Sequence, residues 1–129
     1  MLTSQREEVV LNAIDELDKH GILFDLMGLP RSPAAKINIH IGGAYGDRQA
    51  AMDRWCKNYE RLSESARSRL TVENDDKPAL YSTKMLYDNI VKRTSTPIVF
   101  DSHHFECGPQ DSTYDEAFLM AADSWPDGV

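Results

Sequence analysis

The chain has 129 residues, with 41% hydrophobic and 27% charged residues, which is typical of one soluble globular domain covering residues 1–129. No apolar run approaches the roughly 20 residues of a membrane helix, and Met1 is not followed by a basic segment and an apolar core. These features predict a cytoplasmic protein. The formal net charge of -7 argues against non-specific wrapping of nucleic acid, because phosphate binding draws on clustered Lys and Arg. Any nucleic-acid contact is therefore expected to be local or to need a metal.

The two cysteines, Cys56 and Cys107, lie far apart, and no Cys or His stands at finger-like spacing around Cys56. This pattern indicates neither a disulfide framework nor a structural zinc knuckle. We expect two reduced thiols.

The first half of the chain predicts a helix followed by a strand. An amphipathic helix is expected from Ser4 to Phe24, ending near Gly21 or just beyond. Its apolar residues recur at three- and four-residue steps: Val9, Val10, Ala13, Ile14, Leu17, Ile22 and Leu23. Turn residues fill 28–33, and 36–41 then alternates with period two, as a strand does, up to Gly42 and Gly43.

The second half predicts further alternation of helices and strands. Asp47, Ser82 and Thr113 are each placed to cap a helix. The expected inward-facing residues of these three helices are, in turn, Ala51, Trp55, Tyr59 and Leu62; Met85, Leu86, Ile90 and Val91; and Tyr114, Ala117, Phe118 and Ala121. Residues 69–73 and 97–100 are predicted strands, and polar residues follow each of them. The first ends on acidic residues, and the second is followed by Asp101-Ser102-His103-His104.

Strict alternation of helix and strand predicts an α/β fold with a parallel sheet. His40 and Glu73 lie 33 positions apart, and Glu73 and Asp101 lie 28 positions apart. Each interval is close to one unit of a barrel that places about 250 residues in eight units. We therefore predict a partial TIM barrel: three βα units of a (β/α)8 barrel, with parallel strands and flanking helices.

Three successive strands each deliver a metal-binding side chain at the same end, namely His40, Glu73 and Asp101, and His104 follows closely. Taken singly, a histidine at a strand end is more often a hydrogen-bonded structural residue, and either acid could cap a helix or form a salt bridge. Taken jointly, imidazole and carboxylate groups at matched strand ends favour a site for zinc, manganese or iron.

Three motifs at these positions resemble those of a known family. They are His40-Ile41-Gly42-Gly43 with Tyr45-Gly46-Asp47, Leu70-Thr71-Val72-Glu73-Asn74-Asp75-Asp76, and Phe100-Asp101-Ser102-His103-His104. Together they resemble the central motifs of the ultraviolet damage endonuclease family, which is related to endonuclease IV. The resemblance extends from about Gln5 to Val129.

The resemblance implies a barrel with a cluster of divalent metals, expected to be manganese with zinc or magnesium as alternatives. The implied activity is nicking of double-stranded DNA on the 5′ side of ultraviolet photoproducts and some abasic sites. His40 then resembles a ligand of one metal, Glu73 the carboxylate that bridges two, Asp101 a ligand of the second, and His104 a ligand of the third. Glu73 and Asp101 are accordingly the expected catalytic carboxylates.

Neighbouring residues are expected to support this site. His103 matches the family pattern, but a role in orienting the site by hydrogen bonds is favoured over ligation. Asn74, Asp76 and the other residues of 74–77 are expected to orient ligands or contact DNA, with an ordinary loop role as the alternative. Tyr45 could touch substrate, although packing against the following helix is the preferred expectation.

The chain also departs from the family pattern. An earlier histidine, a pair of residues that probes the damaged duplex, and a later group of His, modified Lys and Glu have no counterparts in it. Three strands cannot close a barrel, and their open edges invite pairing with another chain. The alternatives are a truncated protein, a split gene product completed by a second chain, and an inactive relative.

Two other functions stay open at this point. An endonuclease IV-like abasic-site enzyme or a sugar isomerase would also gather His, Glu and Asp at the ends of strands. A non-catalytic assembly fragment would use the exposed sheet edges to dock on a partner.

Overall fold

The computed structural model describes residues 1–129 and contains a three-stranded parallel sheet. The strands, adjacent in chain order, are β1 (Ile37–Ile39), β2 (Leu70–Glu73) and β3 (Ile98–Val99). Val72 aligns with Ile39 on one side and with Ile98 on the other. The predicted α/β class with a parallel sheet is confirmed, although β1 and β3 are shorter than the sequence pattern indicates.

Helices connect and flank the strands. They are α1 (Glu7–Leu26), α2 (Arg48–Tyr59), α3 (Glu64–Arg67), α4 (Thr83–Leu86), α5 (Lys92–Thr94), α6 (Ser102–Cys107) and α7 (Tyr114–Asp123). A π-helical segment, Tyr87–Val91, joins α4 to α5, and a 3-10 turn, Pro33–Ala35, precedes β1. None of the helices combines the length and apolar character needed to cross a lipid bilayer.

The three predicted helix caps are confirmed. Asp47, Ser82 and Thr113 immediately precede α2, α4 and α7. Each side-chain oxygen accepts a hydrogen bond from the backbone N–H three residues later, at 3.1, 3.0 and 3.2 Å respectively. These bonds satisfy backbone donors that have no partner within the helix, which is why the sequence marks the starts of these helices so clearly.

The first helix begins at Glu7, three residues later than predicted, and continues past Gly21 to Leu26, two residues beyond the predicted Phe24. A Cβ atom at Gly21 would lie 2.8 Å from the Ser65 Oγ atom, so the glycine permits close packing of α1 against α3. Ile22 and Leu23 belong to the apolar pattern, yet they are exposed in the structure. The role of this glycine is therefore to allow two helices to approach closely, and it does not mark the end of a helix.

The packed face of α7 is only partly as predicted. Ala117 and Ala121 are buried, whereas Tyr114 and Phe118 are exposed. Both aromatic rings nevertheless meet Phe100 in edge-to-face contacts, with centroid distances of 5.3 and 6.0 Å. The bulky side chains therefore surround the end of β3 and do not enter the core, since only alanine fits between α7 and the sheet.

A cluster of 18 buried residues forms the hydrophobic core between the sheet and the helices. Trp55 of α2, Val72 of β2 and Ile98 of β3 are fully buried in it. Leu86 and Ile90 are also buried, as the sequence predicts. Of the two cysteines, both are free thiols: Cys56 is buried and Cys107 is exposed.

Arg69 is fully buried at the amino end of β2, where its charge is met by hydrogen-bond acceptors. Its guanidinium group donates to the carbonyl oxygen of Gly21 and forms an ion pair with Asp25 at 2.9 Å. Arg31 and Arg69 together hold the pKa of the Asp25 carboxyl well below its usual range. These contacts fasten the carboxyl end of α1 to the sheet.

Candidate metal centre

The predicted site residues lie along one edge of the sheet, formed by the carboxyl ends of the strands and the loops after them. We call this edge the carboxyl rim. His40 follows β1 directly, Glu73 is the last residue of β2, and Asp101 comes two residues after β3. His104 lies on α6, which begins immediately after Asp101. Because the strands are parallel, all four residues are brought to the same rim.

Three of these four residues form one compact group. His40, Glu73 and His104 each offer a donor atom, and the three atoms lie within 4.8 Å of one another. The Oε2 atom of Glu73 is 4.0 Å from His40 Nε2, and its Oε1 atom is 3.2 Å from His104 Nδ1. The carboxylate of Glu73 therefore lies between two imidazole rings and presents one oxygen to each.

Asp101 lies beside this group. Its Oδ1 atom accepts a hydrogen bond of 2.9 Å from the backbone N–H of His104 and thereby caps α6. Its Oδ2 atom lies 3.6 Å from His104 Nδ1. The hydrogen bond from the His104 backbone is also the main cause that lowers the pKa of Asp101. One oxygen of Asp101 is thus committed to the helix, and the other faces the site.

The predicted supporting residues have different surroundings. Asn74 is buried, and its side chain both donates to and accepts from the backbone of Asp101, each at 2.9 Å. The Asn74 carbonyl oxygen also lies 3.0 Å from His104 Nδ1. His103 and Asp76 are exposed, and the His103 ring centroid lies 6.5 Å from that of His104. Among these three residues, Asn74 is therefore the one whose contacts position the site.

Asp75 is the residue of 74–77 whose side chain contacts the side chain of a predicted ligand, although nothing in the sequence separates it from its neighbours. It is buried, and its Oδ1 atom lies 3.0 Å from His40 Nδ1. Burial is the main cause that raises the pKa of Asp75. The contact directs the other nitrogen of His40, Nε2, toward Glu73.

Asn38 is the residue that sequence reasoning missed. Its Nδ2 atom donates a hydrogen bond of 2.7 Å to Glu73 Oε2, and its Oδ1 atom accepts one of 2.9 Å from Thr71 Oγ1. A usable signal was present, because period-two alternation places Asn38 and His40 on the same face of β1. A polar residue between two isoleucines marks that face as the one that bears the site.

The donor set fits a divalent transition metal. Two imidazoles and a carboxylate suit zinc, manganese or iron. A carboxylate that holds one imidazole nitrogen while the other nitrogen faces the site is the usual arrangement around a histidine ligand, and Asp75 and His40 reproduce it. His40, Glu73 and His104 would hold such an ion, with Asp101 beside them.

The largest cavity of the molecule, about 480 Å³, lies away from this site. Leu70 and Pro97 line it, so it opens at the amino ends of β2 and β3. The residues around it include no cluster of acids and histidines, and we assign no chemistry to it.

The fold and the site together define an α/β protein with a candidate divalent-metal centre at the carboxyl rim of a parallel sheet. The family model of UV-endonuclease UvdE matches residues 1–128, and the chain belongs to this family. The resemblance inferred from the three sequence motifs is therefore confirmed.

Individual relatives agree with this assignment. A UV DNA damage endonuclease from Bacillus velezensis is 37% identical over 111 residues, which are 86% of this chain and 33% of the relative. One from Nostoc sp. is 35% identical over 130 residues, covering 97% of this chain and 38% of the relative. The crystal structure of SacUVDE is 33% identical, with a TM-score of 0.87 over 98% of this chain and 42% of that one. The chain thus spans little more than a third of the length of these relatives.

Proposed function

We propose that this chain forms the central part of a metal-dependent DNA repair endonuclease that nicks double-stranded DNA on the 5′ side of ultraviolet photoproducts. The observation that carries the proposal is the convergence of His40, Glu73 and His104, whose donor atoms lie within 4.8 Å at the carboxyl rim. Membership of the UvdE family supports a nuclease over a sugar isomerase, which would use similar ligands.

The donor set is suited to the chemistry of phosphodiester cleavage. This reaction needs an activated water, neutralisation of the phosphoryl oxygens and stabilisation of the leaving oxygen, and bound divalent ions supply these effects. Glu73 has one oxygen directed at each imidazole, which supports a role as a bridging ligand between two ions. Asp101, with one oxygen free of the helix cap, would complete the ligands from this chain. Manganese is the proposed metal, with zinc or magnesium as alternatives.

A metal centre would also reconcile the acidic chain with an anionic substrate. The chain carries a net charge of -7, and Glu73, Asp75, Asp76 and Asp101 all lie at or beside the carboxyl rim. Without cations, these carboxylates would repel the DNA backbone. Divalent ions reverse the local charge and invert this effect.

We propose that the three strands belong to a (β/α)8 barrel, with residues 1–129 acting as one domain within it. The outer strands of the sheet are β1 and β3, each paired with β2 on one side only. On the outer side of β3, the Ile98 N–H donates to Ser124 Oγ and its carbonyl oxygen accepts from Trp125 Nε1, each at 2.8 Å. A further strand, supplied by the same protein or by a second chain, could pair with β1 as it stands and with β3 once these two side chains move.

Lesion-dependent nicking tests the proposed function. Supercoiled plasmid, either ultraviolet-irradiated, abasic or intact, is incubated with manganese and the chain, alone and with the product of a neighbouring gene. We expect the unmodified chain to nick irradiated plasmid and Glu73→Gln to abolish this nicking. Asp76→Asn, which removes one exposed acid nearby, should leave the nicking in place. Cleavage of abasic plasmid alone would instead support an endonuclease IV-like enzyme. No lesion-dependent nicking in any combination would exclude the activity for this polypeptide.

A further inference from the structure

The loop between β1 and α2 carries an exposed aromatic ring at the carboxyl rim. Tyr45 lies five residues after His40 and is 52% exposed. Its φ angle is 52°, in the left-handed region that a residue with a bulky side chain rarely adopts. Neither the exposed ring nor the uncommon backbone conformation stabilises the fold. Because such costs are typical of functional sites, they indicate a role for the ring in binding.

Contacts hold this ring in place. The guanidinium carbon of Arg54 lies 5.6 Å from the Tyr45 ring centroid, and the Arg54 Nε atom donates a hydrogen bond of 2.8 Å to the Thr3 carbonyl oxygen. Gly43 packs against the ring as well, since a Cβ atom there would lie 3.2 Å from the Tyr45 Cε2 atom. The cation therefore supports the ring, while about half of the side chain remains open to solvent.

The ring is linked to the candidate metal centre through buried groups. Tyr81 Oη donates a hydrogen bond of 3.2 Å to the carbonyl oxygen of Gly43, against which the Tyr45 ring rests. The backbone of Tyr81 is bonded in turn to Asp75, the residue that contacts His40. Tyr81 is fully buried, so this connection fixes the position of the loop relative to the metal ligands.

We propose that Tyr45 is a stacking platform for a nucleobase of the DNA strand beside the metal centre, with Arg54 as its supporting residue. This inference rests on the proposed endonuclease function. Aromatic rings bind unstacked bases of any sequence, because every base presents a π face. A cation held beneath a ring adds to such a platform, and its charge also favours the anionic strand. Tyr45 packs on the following helix as predicted, through its contact with Arg54 of α2. This contact covers only part of the ring.

The test is oligonucleotide binding by the full chain. A single-stranded oligonucleotide is labelled with fluorescein for anisotropy and, separately, with 2-aminopurine, whose fluorescence falls when the base stacks. Tyr45→Asn removes the ring but keeps a residue that tolerates a left-handed backbone, so the loop should still fold. Tyr45→Phe keeps the ring, and Tyr114→Asn removes another exposed tyrosine, on α7.

We expect Tyr45→Asn to weaken binding about tenfold, within the range that loss of one base–aromatic stack produces, and to remove the quenching of 2-aminopurine. Tyr45→Phe and Tyr114→Asn should bind within about twofold of the unmodified chain. Equal binding by Tyr45→Asn, an equal loss in Tyr114→Asn, or no quenching by the unmodified chain would overturn the proposal.

Metal content, measured on the same samples, separates this inference from the proposed function. If the unmodified chain contains metal that Glu73→Gln loses, but binds no oligonucleotide, the stacking platform is refuted and the proposed metal centre is not. A chain whose oligonucleotide binding depends on Tyr45, but whose metal content is unaffected by Glu73→Gln, would support the platform and refute the proposed function.

Discussion

The contact between Asp75 and His40 leads to a sharp prediction: Asp75→Asn should weaken metal binding at the carboxyl rim. The Asp75 Oδ1 atom lies 3.0 Å from His40 Nδ1 and is the only carboxylate contact of that nitrogen. It therefore holds the Nδ1 side of the ring and directs Nε2 toward Glu73. An asparagine side chain has nearly the same shape but no charge, so it weakens this control without leaving a cavity.

The size of the effect follows from the kind of bond that is lost. The contact of a carboxylate with the imidazole becomes at best one with a neutral amide, and polar contacts of neutral groups are roughly half as strong as those of charged groups. Replacing a residue that orients a histidine ligand typically lowers metal affinity by about 10-fold to 100-fold, or about 1.4 to 2.7 kcal/mol. The asparagine side chain could also present its NH2 group to Nδ1 in place of an oxygen, which would change the hold on the ring and move the loss toward the upper end of that range.

Competition with a chelator measures this loss for manganese and zinc, and Asp76→Asn is the matched control. Both substitutions remove one negative charge from adjacent positions, but Asp76 is exposed and Asp75 is buried. The difference between the two variants therefore reports the contact with His40 and not the net charge. Equal affinities of the two variants would refute the reasoning, because the orientation of His40 would then have no energetic consequence.

Three further predictions follow from the same structure. Glu73→Gln should lower metal affinity more than Asn74→Ala, because only the first removes a charged donor; equal losses in a chelator titration would contradict the ranking. Asp25 should stabilise the fold above about pH 5, and this contribution should decline as the pH falls, since the pKa of Asp25 is lowered in the folded state. Thermal melts across this pH range should therefore show a smaller loss of stability for Asp25→Asn than for the unmodified chain. If the melting temperatures of the two proteins fall in parallel, the prediction is wrong. Gly21→Ala should destabilise the fold by about 1 to 3 kcal/mol in urea, because its Cβ atom would lie 2.8 Å from Ser65 Oγ; a gain in stability would show that α1 and α3 can separate at little cost.

The sequence predicted the parallel sheet and the side chains that meet at its carboxyl rim because both depend on local patterns. Strand residues with period two, followed directly by His40, Glu73 and Asp101, place those side chains at the carboxyl ends of three parallel strands. Capping residues such as Asp47 mark the start of a helix, because the capping hydrogen bond joins residues only three positions apart. No long-range information was needed for either inference.

Other features could not be predicted because they depend on contacts between distant segments. Gly21 lies inside a helix at a close contact with α3, and nothing within the sequence of α1 shows this contact. The same holds for Phe118, which is exposed and contacts Phe100, whereas Ala117 and Ala121 form the buried face of α7. Asp75 and Asp76 are adjacent residues of the same type, so the sequence does not distinguish them. The fold buries Asp75 and exposes Asp76.

The geometry of the candidate metal centre depends on the core as much as on the candidate ligands. Successive residues of a strand point to opposite faces, so a slip of one residue in the pairing of β2 would move Glu73 to the other face of the sheet. Val72, the fully buried neighbour of Glu73, is aligned with Ile39 and Ile98 and is excluded from water by the helices. The apolar face thereby fixes the register, and the register determines that Glu73 lies between His40 and His104. A cavity at Val72 should consequently disturb metal binding as well as stability, although Val72 contacts no ligand atom of the site.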